Sequence, residues 1–282
     1  MEGYKTSTLS NGLLWFGAAV SIAEIFTGTL FVPLGFTKGF AAIITGHLIG
    51  CILLYYAGII GAQSGKSSME SVGLSFGSKG RNFFAFLNVL QLVGWTAVMI
   101  IQGARAMGIM LNTNIGILGA AIFTGESDIA TIMLKAGFGI FGVLIILFST
   151  VTTTYLDVYL AGVSLKTINS RLSEKAMSIL ICIIGVMIAM FSPVDQYENF
   201  LYLIGSVFAP MVAVLISDYF ILKKDNLKKT VDVTNFIVWF IGFAIYRMLL
   251  NMDIVIGSTI PVIIITVIIC LMADKITASS RA

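Results

Sequence analysis

Glu24 stands in an apolar run, within Ala18-Ala-Val-Ser-Ile-Ala-Glu24-Ile-Phe-Thr-Gly28. An ionisable group at membrane depth costs roughly 2.5 to 3.5 kcal/mol on insertion scales, so it needs a partner or a task. Small and hydroxyl residues surround it, and Gly28 weakens the helix one turn later. Such a segment suits a broken helix, whose freed carbonyls coordinate a cation while the carboxylate contacts a bound molecule. A carboxyl group satisfied by a neighbouring helix is the structural alternative. A second cluster, Ser149-Thr-Val-Thr152-Thr153-Thr-Tyr-Leu-Asp157, combines hard hydroxyl oxygens suited to sodium with a carboxylate one turn later on the same face. Hydroxyls that bond their own helix or glue helices together would leave the same pattern. Gln91 and Trp95, four apart, share a face on which an indole can stack on a planar ring while the amide reads its polar edge. On residue type alone, a core Trp beside a helix-packing Gln is the better reading.

Other features carry less chemistry. Gly137-Phe-Gly-Ile-Phe-Gly142 matches G-x-G-x-x-G but opens no βαβ unit, so it reads as helix packing or a hinge. Gly46 and Gly50 form G-x-x-x-G around His47, a mark of close helix approach more than of a proton relay. Asp218 and Tyr219, after Pro210 and before Lys223 and Lys224, fit an interfacial pairing or a gate hinge. Arg105 and Arg247 can snorkel from span ends. Cys51, Cys182 and Cys270 are far apart with no C-x-x-C pair; neither a disulfide framework nor a zinc site is indicated, and they read as small buried hydrophobes. No nucleophile pair, metal cluster or nucleotide motif supports an enzyme, and no cofactor is expected.

These residues need membrane-spanning helices to hold them. Hydrophobic residues make up 58% of the chain and charged ones 11%, with a mean hydropathy of +0.99, whereas soluble domains carry roughly 25% charged residues. Apolar runs of about 20 residues, enough to cross a 30 Å hydrocarbon core, predict an all-α polytopic membrane protein. Its eight spans fall near 11–33, 39–62, 83–107, 139–165, 176–193, 198–222, 234–251 and 254–273. The run from Leu9 to Phe36 is too long for a signal-peptide core and is read as a retained first span.

Charge sets the orientation. With the N-terminus cytoplasmic and Gly108–Thr124 an external connector or re-entrant piece, thirteen of the seventeen Lys and Arg fall inside, while Glu126, Asp128, Asp195, Glu198 and Asp253 fall outside. If Gly108–Thr124 crossed, Lys223 to Lys229 would lie outside. Eight spans with both termini cytoplasmic follow. The net charge of +3 is scattered between apolar runs, which argues against a nucleic-acid partner.

Several patterns in order resemble the nucleobase:cation symporter-1 family, most closely its hydroxymethylpyrimidine transporters, relatives of cytosine permease. They are Asn11-Gly-Leu-Leu-Trp15-Phe-Gly17 leading to Glu24, Gln91-Leu-Val-Gly-Trp95, Thr152-Thr-Thr-Tyr-Leu-Asp157-Val-Tyr159, and Leu203-Ile-Gly205 through Pro210 to Asp218-Tyr219-Phe220. The resemblance implies a LeuT-like fold of two inverted five-helix repeats plus two terminal helices, with substrate near the midplane. It implies substrate binding by Glu24, Gln91, Trp95 and Asp157. It also implies a sodium site from the Thr152 and Thr153 hydroxyls with backbone carbonyls at Val20 and Ala23.

Family members have twelve spans in about 400 residues, so the resemblance also implies an incomplete fold that lacks helices four, five, six and most of seven. Residues 1–107 are then the first three helices of repeat one, 108–138 an external connector at the deletion, and 139–282 the last five helices of a single membrane domain. The function implied is symport of a pyrimidine-like molecule, hydroxymethylpyrimidine or a cytosine-like nucleobase, with Na⁺ or H⁺, across the plasma (inner) membrane. Self-association could complete the bundle. The alternative is a truncated, non-transporting remnant or interaction protein of the same family.

Overall fold

The computed structural model describes residues 7–111, 139–191, 197–252, 254 and 257–279. Of the expected connector at 108–138, residues 108–111 continue the fourth helix and 112–138, with Lys135 and Gly137, lie outside the described residues, as do the acidic residues Glu126, Asp128, Asp195 and Asp253. All described elements are helical: α1 (Thr8–Ala19), α2 (Ile22–Thr29), a 3₁₀ turn (Val32–Leu34), α3 (Gly35–Ser64), α4 (Ser68–Leu111), α5 (Gly139–Ile168), α6 (Glu174–Phe191), α7 (Tyr197–Ile216), α8 (Val233–Leu249) and α9 (Thr259–Ser279). Among the described residues, six helices are long and apolar enough to cross a membrane: α3 to α7 and α9. The protein is therefore an all-α, multi-pass membrane protein. Two of the eight expected spans are shorter than that standard. The first is divided into α1 and α2, and α8 has 17 residues.

The helices fall into two compact units. The first comprises Met1–His47, Val89–Val163 and Leu172–Asp195; the second comprises Leu48–Asn88, Ser164–Arg171 and Gln196–Ala282. In the first unit, small residues let the helices approach closely. A Cβ on Gly185 of α6 would come within 2.5 Å of Thr96 Cγ2 on α4, beside the buried Ala97, Ile101 and Ala189. Gly162 of α5 plays the same part against α6, where a Cβ would sit 2.6 Å from Ser178 Oγ.

The second unit is built round aromatic packing. Phe76, Phe84 and Trp239 are buried, with ring centroids 4.6 Å apart for Phe76 and Phe84 and 5.2 Å for Phe84 and Trp239. α4 starts well before the expected 83, but the backbone leaves helical geometry at Gly77, where φ is 76°, and this kink sets the turns before it apart from the long helix after it. A Cβ there would meet Lys229 O at 2.7 Å, since the segment after α7 pairs with it: Ser78 N donates to Lys229 O and Lys79 N to Thr230 O.

α7 ends in a π-helical turn, Ser217–Leu222. There the buried Asp218 accepts from Asn235 Nδ2 at 2.6 Å, and Lys224 Nζ lies 3.8 Å from it and 2.7 Å from Asp274. Burial alone would lower the Lys224 pKa, but its hydrogen bond to Asp274 and the nearby carboxylates of Asp218 and Asp274 outweigh that and raise it. Of the interfacial readings of Asp218, the pairing is the one present. The three cysteines correct an expectation: Cys270 is buried, but Cys51 and Cys182 are exposed on helix surfaces. An apolar sequence context marks membrane depth without telling a lipid-facing side from a packed one.

Candidate functional site

The first expected span breaks, and does so before Glu24. Val20 leaves helical geometry at φ −103°, ψ 10°, and Ser21 is extended at φ −69°, ψ 163° before α2 begins. Ser21-Ile-Ala-Glu24 carries the S-x-x-E pattern of a helix start, in which a Ser caps and a Glu three residues on reaches back. Here the Ser21 hydroxyl donates to the Glu24 carboxylate. Glu24 also sits in the first turn of α2, where the positive end of the helix dipole favours an anion. Ser21 and Ala23 are buried while Glu24 is exposed at the protein surface. Sequence reasoning puts the weak point at Gly28 and passes over Ser21; the capping pattern is the signal that finds it.

The break is docked on α5. The Ser149 hydroxyl donates to the Gly17 carbonyl, and a Cβ on Gly17 would stand 3.5 Å from Thr152 Oγ1. Thr152 Oγ1 donates to Phe148 O at 2.9 Å and Ser149 O at 2.8 Å, and Thr153 Oγ1 to Ser149 O at 3.0 Å. The helix-bonding reading of these threonines is therefore realised. A hydroxyl that donates its hydrogen to its own helix still keeps oxygen lone pairs for another ligand. The Ala23 carbonyl, inside α2, also accepts from Thr27 Oγ1 at 2.8 Å. Thr153 and Asp157 are both buried, as expected for residues on one face, while Thr152 is exposed.

Two contacts set the register of α4 against α5. Asn88 Nδ2 donates to Ser164 Oγ at 2.8 Å, and a Cβ on Gly103 would lie 3.6 Å from Thr150 Cγ2. Numbers rise along one helix as they fall along the other, so the pair is antiparallel. Steps of seven residues return to nearly the same helix face. From Asn88 they lead to Trp95 and Gln102; from Ser164 they lead back to Asp157 and Thr150. Trp95 is thus level with Asp157, and Gln102 with Thr150. Gln102, Thr150 and Asp157 are buried, and Gln91 and Trp95 are half-buried, each already engaged with a neighbour.

Asp157 Oδ2 is buried with no hydrogen-bond partner among the described residues. Native interiors leave few such atoms, and each calls for an explanation. The arrangement is thus a helix break beside a carboxylate, a second, buried carboxylate with an unpartnered oxygen, and an indole at the level of that second one. It invites a ligand that brings donors or positive charge. No group of three His, Cys, Asp or Glu that could hold a metal ion is found among the described residues. Elsewhere, His47 is exposed, with its Nδ1 2.8 Å from Ile43 O on its own helix, and Gly46 and Gly50 face open space.

The family model for permeases for cytosine/purines, uracil, thiamine and allantoin matches residues 4–151, just over half of the chain. The chain belongs to this permease family. The matched stretch holds Val20, Ala23, Glu24, Gln91 and Trp95 and ends one residue before Thr152. Among curated proteins, the chain is similar to the vitamin B6 transporter TPN1 of Saccharomyces cerevisiae, with 26% identity over 105 residues, 36% of this chain and 18% of that transporter. The same transporter from a reference strain gives the same figures. The match thus spans about a fifth of the length of the curated relatives. No solved structure matches the chain. The family and its relative are carriers of small molecules, and neither is an enzyme.

Proposed function

We propose that this permease-family chain is a cation-coupled importer of a planar, donor-bearing heteroaromatic of the pyrimidine type, with hydroxymethylpyrimidine or a cytosine-like nucleobase as its substrate. The observation that carries the reading is the buried, unpartnered Asp157 Oδ2, level with Trp95. A ring amino or N–H group satisfies that oxygen, the indole stacks on the ring, and Glu24 and Gln91 read the remaining edge. The vitamin B6 carried by the yeast relative is a rival substrate.

For the coupling ion we assign the Thr152 and Thr153 oxygens with the Val20 and Ala23 carbonyls to Na⁺; their place beside the docked break supports that choice over H⁺. The plasma (inner) membrane and cytoplasmic termini belong to the same reading; the distribution of the chain's cations supports that orientation. A second copy completing the bundle belongs to the same reading.

One observation favours a second reading. The Ser21–Glu24 contact gives Glu24 a partner within its own helix start, and the threonine hydroxyls are accounted for by their own helix. A non-transporting remnant of the family would retain both. Uptake of labelled hydroxymethylpyrimidine, cytosine and vitamin B6 into proteoliposomes separates the two. The importer gives saturable uptake of one of them, driven by an inward sodium gradient and abolished in the Glu24→Gln, Asp157→Asn double variant. No uptake by the unaltered chain supports the remnant. Equal uptake by the double variant removes the site.

A further inference from the structure

Between α5 and α6, on the side away from the buried Asp157, lies an open groove of about 490 Å³. Its wall on α5 is made by the exposed Tyr155 and Tyr159, whose rings stack at 6.1 Å and 11°, with Val158 between them. Its wall on α6 runs from Glu174 and Lys175 past Ser178 to Ile179 and Cys182. α6 is an 18-residue membrane-crossing helix that starts at Glu174, so its first residues stand at headgroup level. At a rise of 1.5 Å per residue, Cys182 lies about 12 Å deeper, among acyl chains. The groove is therefore polar and charged at its mouth and apolar at its floor. Aromatic rings line it near an interface, where Tyr is favoured.

We infer that this groove holds one anionic phospholipid, its acyl chain along Tyr155, Ile179 and Cys182 and its phosphate against Lys175. Charge complementarity selects the anionic class. The connection from 166 to 175 carries Lys166, Arg171 and Lys175 against the single acid Glu174, and basic sites at helix ends recruit acidic headgroups. Glu174 at the same mouth accepts hydroxyl donors, which a glycerol headgroup supplies. Nothing in this assignment depends on what the protein transports.

Native mass spectrometry of the purified chain, released from micelles doped with equal amounts of phosphatidylglycerol and phosphatidylcholine, tests it. The expected result is a single phosphatidylglycerol adduct at least threefold more abundant than the phosphatidylcholine one. Lys175→Glu brings it down to the phosphatidylcholine level, while Lys228→Glu, a surface charge change elsewhere, leaves it in place. Cys182→Trp, which fills the floor without changing charge, also removes it. Equal retention of the two lipids overturns the inference, as does an adduct that survives both groove variants. A lipid-free dimer under the same conditions overturns it too, because the face is then covered by a second copy.

Discussion

Ser21 links the backbone break to the chemistry beside it. It stands between α1 and α2, and its hydroxyl holds the carboxylate that the site presents. The Ser21 side chain makes no hydrogen bond to the backbone of α2, so removing its hydroxyl leaves the helix start in place but frees Glu24 to change rotamer. Ser21→Ala is expected to leave the melting temperature in detergent within a few degrees and to weaken substrate binding about fivefold; unchanged binding would mean that Glu24 needs no positioning. Glu24, Asp157 and the threonines are legible in the sequence because a polar side chain in an apolar run stands out. The role of Ser21 is hidden because a serine costs little at membrane depth and attracts no notice without its bond to Glu24. The exposure of Cys51 and Cys182 is hidden for the opposite reason: lipid and protein core select the same apolar neighbours.

At the scale of elements, the pairing of α4 with α5 brings Trp95 to Asp157. Each helix carries a stripe of hydrogen-bonding residues at seven-residue intervals: Asn88, Trp95 and Gln102 on one, Thr150, Asp157 and Ser164 on the other. Both stripes can be read in the sequence, but their mutual register cannot, because it depends on contacts between segments far apart in the chain. The structure supplies the register through Asn88 with Ser164 and Gly103 with Thr150. A disulfide needs Cα atoms roughly 4.4 to 6.8 Å apart. In a background with the native cysteines replaced by Ala, Gln102→Cys with Thr150→Cys is expected to cross-link under mild oxidation. Gln102→Cys with Val151→Cys, turned to an exposed face, is expected not to. The reverse pattern would show a slipped pair and would move Trp95 away from Asp157. Helix existence was readable from length and hydropathy. A break in the first span was readable from the residues around Glu24, but its position at Ser21 and the bend at Gly77 were not, since each depends on local backbone geometry that an apolar run conceals.

Over the whole molecule, an all-helical, multi-pass chain belonging to a small-molecule permease family presents a buried carboxylate oxygen that its own described residues leave unsatisfied. The carboxylates, the indole and the hydroxyls all lie in the first unit, while the second unit is built on aromatic packing and the Asp218, Lys224 and Asp274 charges. The central claim is that the first unit binds a donor-bearing heteroaromatic. Losing a charge-assisted hydrogen bond costs about 1.5 to 3 kcal/mol, or roughly ten- to a hundredfold in affinity. The most direct measurement is equilibrium binding of labelled hydroxymethylpyrimidine to the purified protein and to its Asp157→Asn variant. The account predicts saturable binding by the unaltered protein, weakened at least tenfold in Asp157→Asn; equal affinity in the two proteins would contradict it.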